Sequence, residues 1–384
     1  MKRIFGISLA LALALSSLTG CGDKNASSGD SQGSTSDSNE GTVKVAVYAP
    51  LTGDHAEYGT SFKVAAEIQA DRWNAKGGAH GMKVEIVSYD DKSSGEEAAA
   101  IAERVVEDPD VMGIIGSYVS GVSMAATPTF QEYGLTNISA SASHPDFTGA
   151  GNCIFRNNTV ISVEGAATVD AVKNNLQAKN VGMLFIKTDW GLSTAEIVRA
   201  LCEEQGLNLV CEQECMDGSD DYSVQIANFR SDGCDAIIVV GMHNTFVPFA
   251  HQYRQIDPKI GLAAFANLYD RQVIELGGEF VEGTVFPVAY FNESDDPAVI
   301  EFRDEFVKRF GKEPSSLAAQ AYDAAGIIME AIDHVGKDRA AVRDYVESIS
   351  YDGVGGTITF DENRDAQKVF MKLQIQDGKF IRIA

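Results

Sequence analysis

The chain has 384 residues, with 31 Lys and Arg against 55 Asp and Glu and a formal net charge of −24. So acidic a chain excludes nucleic acid, and excludes an anionic lipid surface held by charge, as partners. Its length suits two domains of ordinary size.

The first 20 residues read as a leader. Met1-Lys2-Arg3 is basic, and Ile4 to Leu15 is an apolar run too short for a comfortable membrane anchor. Leu18-Thr19-Gly20-Cys21 resembles the lipobox of bacterial lipoproteins, which implies cleavage before Cys21 and lipidation of its thiol. Residues 21–41, rich in Ser, Gly, Asp and Asn, cannot bury a core and read as a flexible tether. No later apolar run is long enough to span a bilayer. The protein is therefore expected outside the cytoplasmic membrane, held to it by the lipid alone. Five more Cys follow, Cys153, Cys202, Cys211, Cys215 and Cys234, an odd number that leaves at least one thiol free. One bridge among the last four and buried free thiols are both open. Neither Cys nor His falls in a metal-ligand spacing, so no metal and no cofactor are expected.

From Thr42 onward strands and helices alternate. Val43 to Ala49 reads as a strand, Pro50 to Gly59 as a loop, and 60–76 as a helix stopped by Gly77-Gly78. Strand Val84 to Tyr89 follows, then helix Glu96 to Glu107 capped by Ser94, and strand Val111 to Ile115. Gly116 breaks that strand, and Ser120 stands where it would cap a helix running to Glu132. A strand that hands over to a capped helix leaves backbone N–H groups free, which with the helix dipole favour a carboxylate or phosphate. A strand over Thr136 to Ala140 leads into Ser141-Ala142-Ser143. After Phe155-Arg156-Asn157 the alternation resumes with a helix over Gly165 to Asn174, strand Val181 to Ile186, the loop Thr188-Asp189-Trp190-Gly191 and a helix over Ser193 to Gln205. Strand Leu207 to Cys211, helix Tyr222 to Ser231 and strand Ala236 to Val240 precede the loop Gly241 to Asn244. Helix Phe246 to Gln255, strands Gly261 to Phe265 and Gly283 to Val288, and helices Pro297 to Phe310 and Leu317 to Val335 follow. Thr357 to Phe360 is expected to pair with Val369 to Gln374.

This series predicts an α/β fold of two Rossmann-like lobes with parallel sheets. In such sheets ligands bind beyond the carboxyl ends of the strands. The loops there carry Tyr58, Ser120, Ser141 and Ser143 in the first half, and Trp190, His243 and Asn267 in the second. Hydroxyls and aromatic rings with few charges suit a small polar ligand.

The chain resembles the type I periplasmic binding proteins of the leucine/isoleucine/valine-binding branch, the solute receptors of ABC importers. The resemblance rests on Val45 to Gly53 with Tyr58-Gly59, Asn74 to Gly78 with Gly81, and Tyr89-Asp90-Asp91. It continues through Ile115-Gly116 with Ser120, Phe155-Arg156, Asp189-Trp190-Gly191, Gly278-Glu279 with Glu282-Gly283, and Ala321 to Ala324. It implies lobe one at 42–157 and 289–355, lobe two at 158–288 and 356–384, and a hinge of three strands. It implies a ligand carboxylate at Ser120 and Ser143, an ammonium against the Ser141 carbonyl, and Tyr58 and Trp190 closing over the ligand. Permease and ATPase subunits would be the partners. Two positions depart from the family pattern. His243 stands where a Tyr is common, and Ala266 where amino-acid binders carry the acid that pairs with the ligand ammonium. The ligand is thus expected to be a small amino acid, branched-chain or similar. The alternatives are a carboxylate without an ammonium, such as an aromatic or keto acid, or a sensing role beside a signalling partner. An enzyme is not expected. No dinucleotide or Walker-type glycine motif is present, and the Gly-x-Ser-x-Ala stretches lie in the leader and inside a helix, so no catalytic residue is assigned.

Overall fold

The structure, a computed structural model, describes residues 41–384. The expected leader and the lipidation site Cys21 lie outside the described residues, as does all of the expected tether but Gly41.

Strands β1 (Thr42–Ala49), β2 (Lys83–Asp90), β3 (Val111–Gly116), β4 (Thr136–Ser139) and β5 (Ile154–Arg156) form one parallel sheet in the order β2-β1-β3-β4-β5. They are joined by helices α1 (Ala56–Ala75), α2 (Gly95–Val106) and α3 (Ser120–Glu132). Every residue of β3 and β4 is buried, as expected of strands covered on both faces. Ser94 caps α2 by accepting the Glu97 N–H.

The second alternation comprises α4 (Ile161–Asn174), β6 (Asn180–Ile186), α5 (Asp189–Gln205), β7 (Asn208–Cys215), α6 (Ser223–Ser231), β8 (Ala236–Val240), α7 (His243–Ile256), β9 (Gly261–Ala263), α8 (Arg271–Gly277) and β10 (Val285–Val288). Then come α9 (Pro297–Phe310), α10 (Ser316–Val335), α11 (Arg339–Glu347), β11 (Ser350–Gly353), β12 (Gly356–Thr359), β13 (Met371–Gln376) and β14 (Lys379–Ile383). The second sheet runs β14-β13-β10-β9-β8-β6-β7, with β13 and β14 antiparallel at its edge. Helix α10 is apolar on nearly every side and packs against α1 and β3, which places it with the first sheet although it lies late in the chain.

The expected pairing of residues 357–360 with 369–374 does not form. Strand β12 turns back on β11 through Val354-Gly355, a local hairpin with glycines where the chain reverses. Strand β13 instead pairs with β10, burying Leu373 and Ile375. Among the described residues the chain passes between the two sheets three times, at 157–160, 289–296 and 360–370. A buried ion pair ties the first crossing to the third: Arg156 Nε donates to Asp365 Oδ1 at 2.7 Å. Beside it the Asn157 amide donates to the Gln320 carbonyl at the start of α10. Cys153, Cys202, Cys211, Cys215 and Cys234 are all unbridged, which settles the open alternative in favour of free thiols. Burial pushes the Cys202 and Cys211 thiols up to about 11 and those of Cys215 and Cys234 up to about 12, so they are inert at neutral pH.

Candidate functional site

Two strand-to-helix turns set the geometry of the cleft. A Cβ on Gly59 would lie 1.9 Å from the Pro50 carbonyl oxygen, and one on Gly191 would lie 2.0 Å from the Ile186 carbonyl oxygen. Only glycine lets α1 and α5 begin so close to the ends of β1 and β6. The residues just before, Tyr58 and Trp190, therefore lie in the first turns of helices, not in the loops expected from sequence. His243 likewise opens α7. Both glycines fall in stretches predicted as loops, and in the structure they mark where a helix abuts the preceding strand.

Side chains from the two sheets meet directly. Trp190 Nε1 donates to Ser143 Oγ at 2.8 Å, and the Tyr58 hydroxyl donates to the Asn267 carbonyl at 3.3 Å. The Tyr58 ring stacks on Tyr118, with centroids 4.5 Å apart and an interplanar angle of 10°. His55 Nε2 lies 3.5 Å from Asp217 Oδ2. Among these contacts lies a cavity of about 30 Å³, lined on its polar side by Ser120, Ser141, Ser143, Glu164, Trp190 and Asn267. Tyr58 and His243 stand outside its wall, 5.5 Å apart between ring centroids.

Ser120 does not cap α3. Val119 occupies the cap position and Ser120 is the first helical residue, because the extended backbone at Val119 ends one residue earlier than the hydroxyl suggests. The Ser120 hydroxyl instead accepts the Ser143 N–H at 3.3 Å, tying the start of α3 to the loop after β4. Ser141 Oγ donates to the Tyr118 carbonyl at 2.7 Å, and its own carbonyl accepts from the Asn158 amide at 2.8 Å. Asn267 donates through Nδ2 to the Gly241 carbonyl at 3.1 Å, while its Oδ1 is buried without a partner. The strand before Ser120 must end on glycine: Gly116 has φ of 135°, and a Cβ there would strike the Tyr48 carbonyl oxygen at 1.9 Å.

Sequence reasoning missed Glu164. Helix α4 contains the expected stretch Gly165 to Asn174 and begins at Ile161, so Glu164 falls in its first turn and is buried at 3 % exposure. Its Oε1 accepts the Ala266 N–H at 2.5 Å. Burial pushes its carboxyl up to about 7, against the opposing effect of that hydrogen bond. The signal was present: Ile161, Gly165, Thr168 and Val172 form a buried stripe at helical spacing, and Glu164 lies on it. Two other acids stand near the cleft but do not line the cavity: Asp270 caps α8 through the Gln272 N–H, and the exposed Asp189 opens α5.

Residues 42–379 match the model of the periplasmic binding protein family. The chain belongs to that family. It is similar to the leucine-, isoleucine-, valine-, threonine-, and alanine-binding protein of Pseudomonas aeruginosa, at 25% identity over 329 residues, covering 84% of this chain and 87% of that one. A solved leucine binding protein of Thermotoga maritima is similar at 27% identity and a TM-score of 0.83, over 89% of this chain and 98% of the other. A solute binding protein of R. palustris in complex with benzoate shares the fold at 20% identity and a TM-score of 0.82, over 89% and 96% of the two chains. As a periplasmic binding protein the chain belongs to a class of extracytoplasmic solute receptors. Among its described residues no helix is long and apolar enough to cross a membrane.

In this periplasmic binding protein His243 is a buried neutral base. Burial, then the neighbouring His55, holds its imidazole down to about 4, against the pull of Asp217 and Asp54. The folded value lies below the ordinary 6.5. The associated stability is therefore complete above about pH 6.5 and lost as pH falls towards 4, a span worth roughly 3 kcal/mol. Urea unfolding of wild type and His243→Gln at pH 7.5 and 4.5 should show a loss on acidification smaller by roughly 2–3 kcal/mol in the variant. An equal loss in both would place the titration elsewhere.

Proposed function

We infer that this periplasmic binding protein is the solute receptor of an ABC importer. It captures a small amino acid, branched-chain or similar, and hands it to permease and ATPase subunits. The observation that carries the reading is the meeting of both halves at one small cavity of mixed polar and apolar lining beside the first turn of α3, bridged by the Trp190–Ser143 hydrogen bond. The names of the relatives at 25–27% identity support the ligand class.

In this reading the ligand carboxylate takes the free N–H groups of the first turn of α3 with Ser120 and Ser143, where partial positive charge is fixed in place. The Ser141 carbonyl and Asn267 accept from the ligand, while Tyr58 and Trp190 close over it with His243 behind. A cavity of about 30 Å³ holds only a water or two, so the lobes must part to admit an amino acid. The lobes at 42–157 with 289–355 and 158–288 with 356–384 would turn about the three crossings, with the Arg156–Asp365 pair at the pivot. A lipid on Cys21 and the tether after it would hold the receptor beside its permease. The family is one of binding proteins, and catalysis forms no part of the reading.

Calorimetry on the mature protein with leucine, valine, phenylalanine and their matching 2-keto acids tests the ligand class. Heat is expected from an amino acid, with a change in Trp emission that Trp190→Phe abolishes and Trp73→Phe preserves. Heat from a keto acid alone would overturn the assignment.

The anchor is tested separately. Fatty-acid labelling should mark the wild type and not Cys21→Ser, and an unlabelled wild type would remove the lipid from the account.

A further inference from the structure

An amino acid brings an ammonium into this cleft as well as a carboxylate. A buried ammonium without an anionic or multiply accepting partner is strongly disfavoured. Position 266, where the family resemblance leads one to expect the acid, holds Ala266. Neither Asp270, which caps α8 through the Gln272 N–H, nor the exposed Asp189 lines the cavity.

Glu164 remains. It lines the cavity at 3 % exposure, on the same wall as Trp190 and Asn267. Its backbone is fixed, because Thr168 Oγ1 donates to the Glu164 carbonyl at 3.2 Å and is within 3.1 Å of the Ala264 carbonyl. One carboxylate oxygen is held by the Ala266 N–H. The other, Oε2, accepts no hydrogen bond among the described residues, and no Lys, Arg or His among them pairs with this carboxylate. A purely architectural role, tying α4 to the chain at Ala266, needs one oxygen and no charge, and a glutamine would serve it. The second oxygen, unpaired on a residue that lines the cavity, is what that role leaves over.

We propose that Glu164 is the ammonium-binding residue of the cleft and selects ligands that carry an amine. The proposal rests on the amino-acid reading given above. It also accounts for Ala266: the acid reaches the space beside residue 266 from α4, and the small side chain at 266 leaves that space to it. Burial that disfavours the Glu164 carboxylate in the closed cleft is offset when an ammonium enters, so the bound ligand completes a pair that the protein alone leaves half made. A carboxylate ligand without an amine supplies no partner for this acid and gains nothing from it.

The test compares L-leucine with 4-methylpentanoate, the same carbon skeleton without the ammonium, by calorimetry on wild type, Glu164→Gln and Glu164→Asp. Wild type should bind leucine and discriminate strongly against 4-methylpentanoate. Glu164→Gln should weaken leucine by about two to three powers of ten and leave 4-methylpentanoate unchanged or tighter. Glu164→Asp keeps the charge and should lose clearly less than the glutamine variant, which also covers the case in which Glu164→Gln does not fold. Undiminished leucine binding in Glu164→Gln, or equal losses in the two variants, would overturn the role of Glu164 while leaving the receptor reading intact. Failure of wild type to bind any amino acid would instead overturn the amino-acid reading on which the proposal rests.

Discussion

The cleft depends on how closely a helix can start against the strand before it. At Pro50 and at Ile186 a carbonyl oxygen occupies the place where the next helix would carry a Cβ, and Gly59 and Gly191 leave it free. The same device in both halves brings the first turns of α1 and α5 to the rim, and with them Tyr58 and Trp190. Exchange either glycine for alanine and the helix must move by more than a side chain can absorb. The aromatic ring ahead of it would then lose its partner in the other half, Asn267 for Tyr58 and Ser143 for Trp190.

Electrostatics gives this shape its chemical direction. The start of α3 offers N–H groups, tied by the Ser120–Ser143 hydrogen bond to the loop after β4. Elsewhere in the cavity lie acceptors: Glu164 with one oxygen committed, and Asn267 with a buried Oδ1 that has no partner. His243, kept neutral by its surroundings, adds no positive charge that would repel a cation. A cavity with donors and acceptors arranged in this way fits a dipolar ion better than a simple anion.

Much of this was legible in the sequence. Buried strands such as Ala236 to Val240 announce themselves as unbroken apolar runs, and Gly116 marks the strand end that presents Ser120. Ser94 caps the helix that follows it, as its position suggests. Helix starts were less legible. Tyr58, Trp190 and His243 stand in the first turns of helices where the sequence predicts loops, and the steric reason for Gly59 and Gly191 exists only in three dimensions. Glu164 stands just before the expected helical stretch Gly165 to Asn174, and the start at Ile161 places it in the first turn with its side chain buried. The pairing of β13 with β10 was beyond local pattern, since it is set by an open sheet edge formed some 80 residues earlier.

A crystal structure of the mature protein grown with L-leucine tests the account most directly. The ligand carboxylate should lie within hydrogen-bonding distance of the first-turn N–H groups of α3 and of Ser120 Oγ, and the ammonium about 3 Å from Glu164 Oε2. Leucine bound outside this cavity, or held with its ammonium turned away from Glu164, would contradict it.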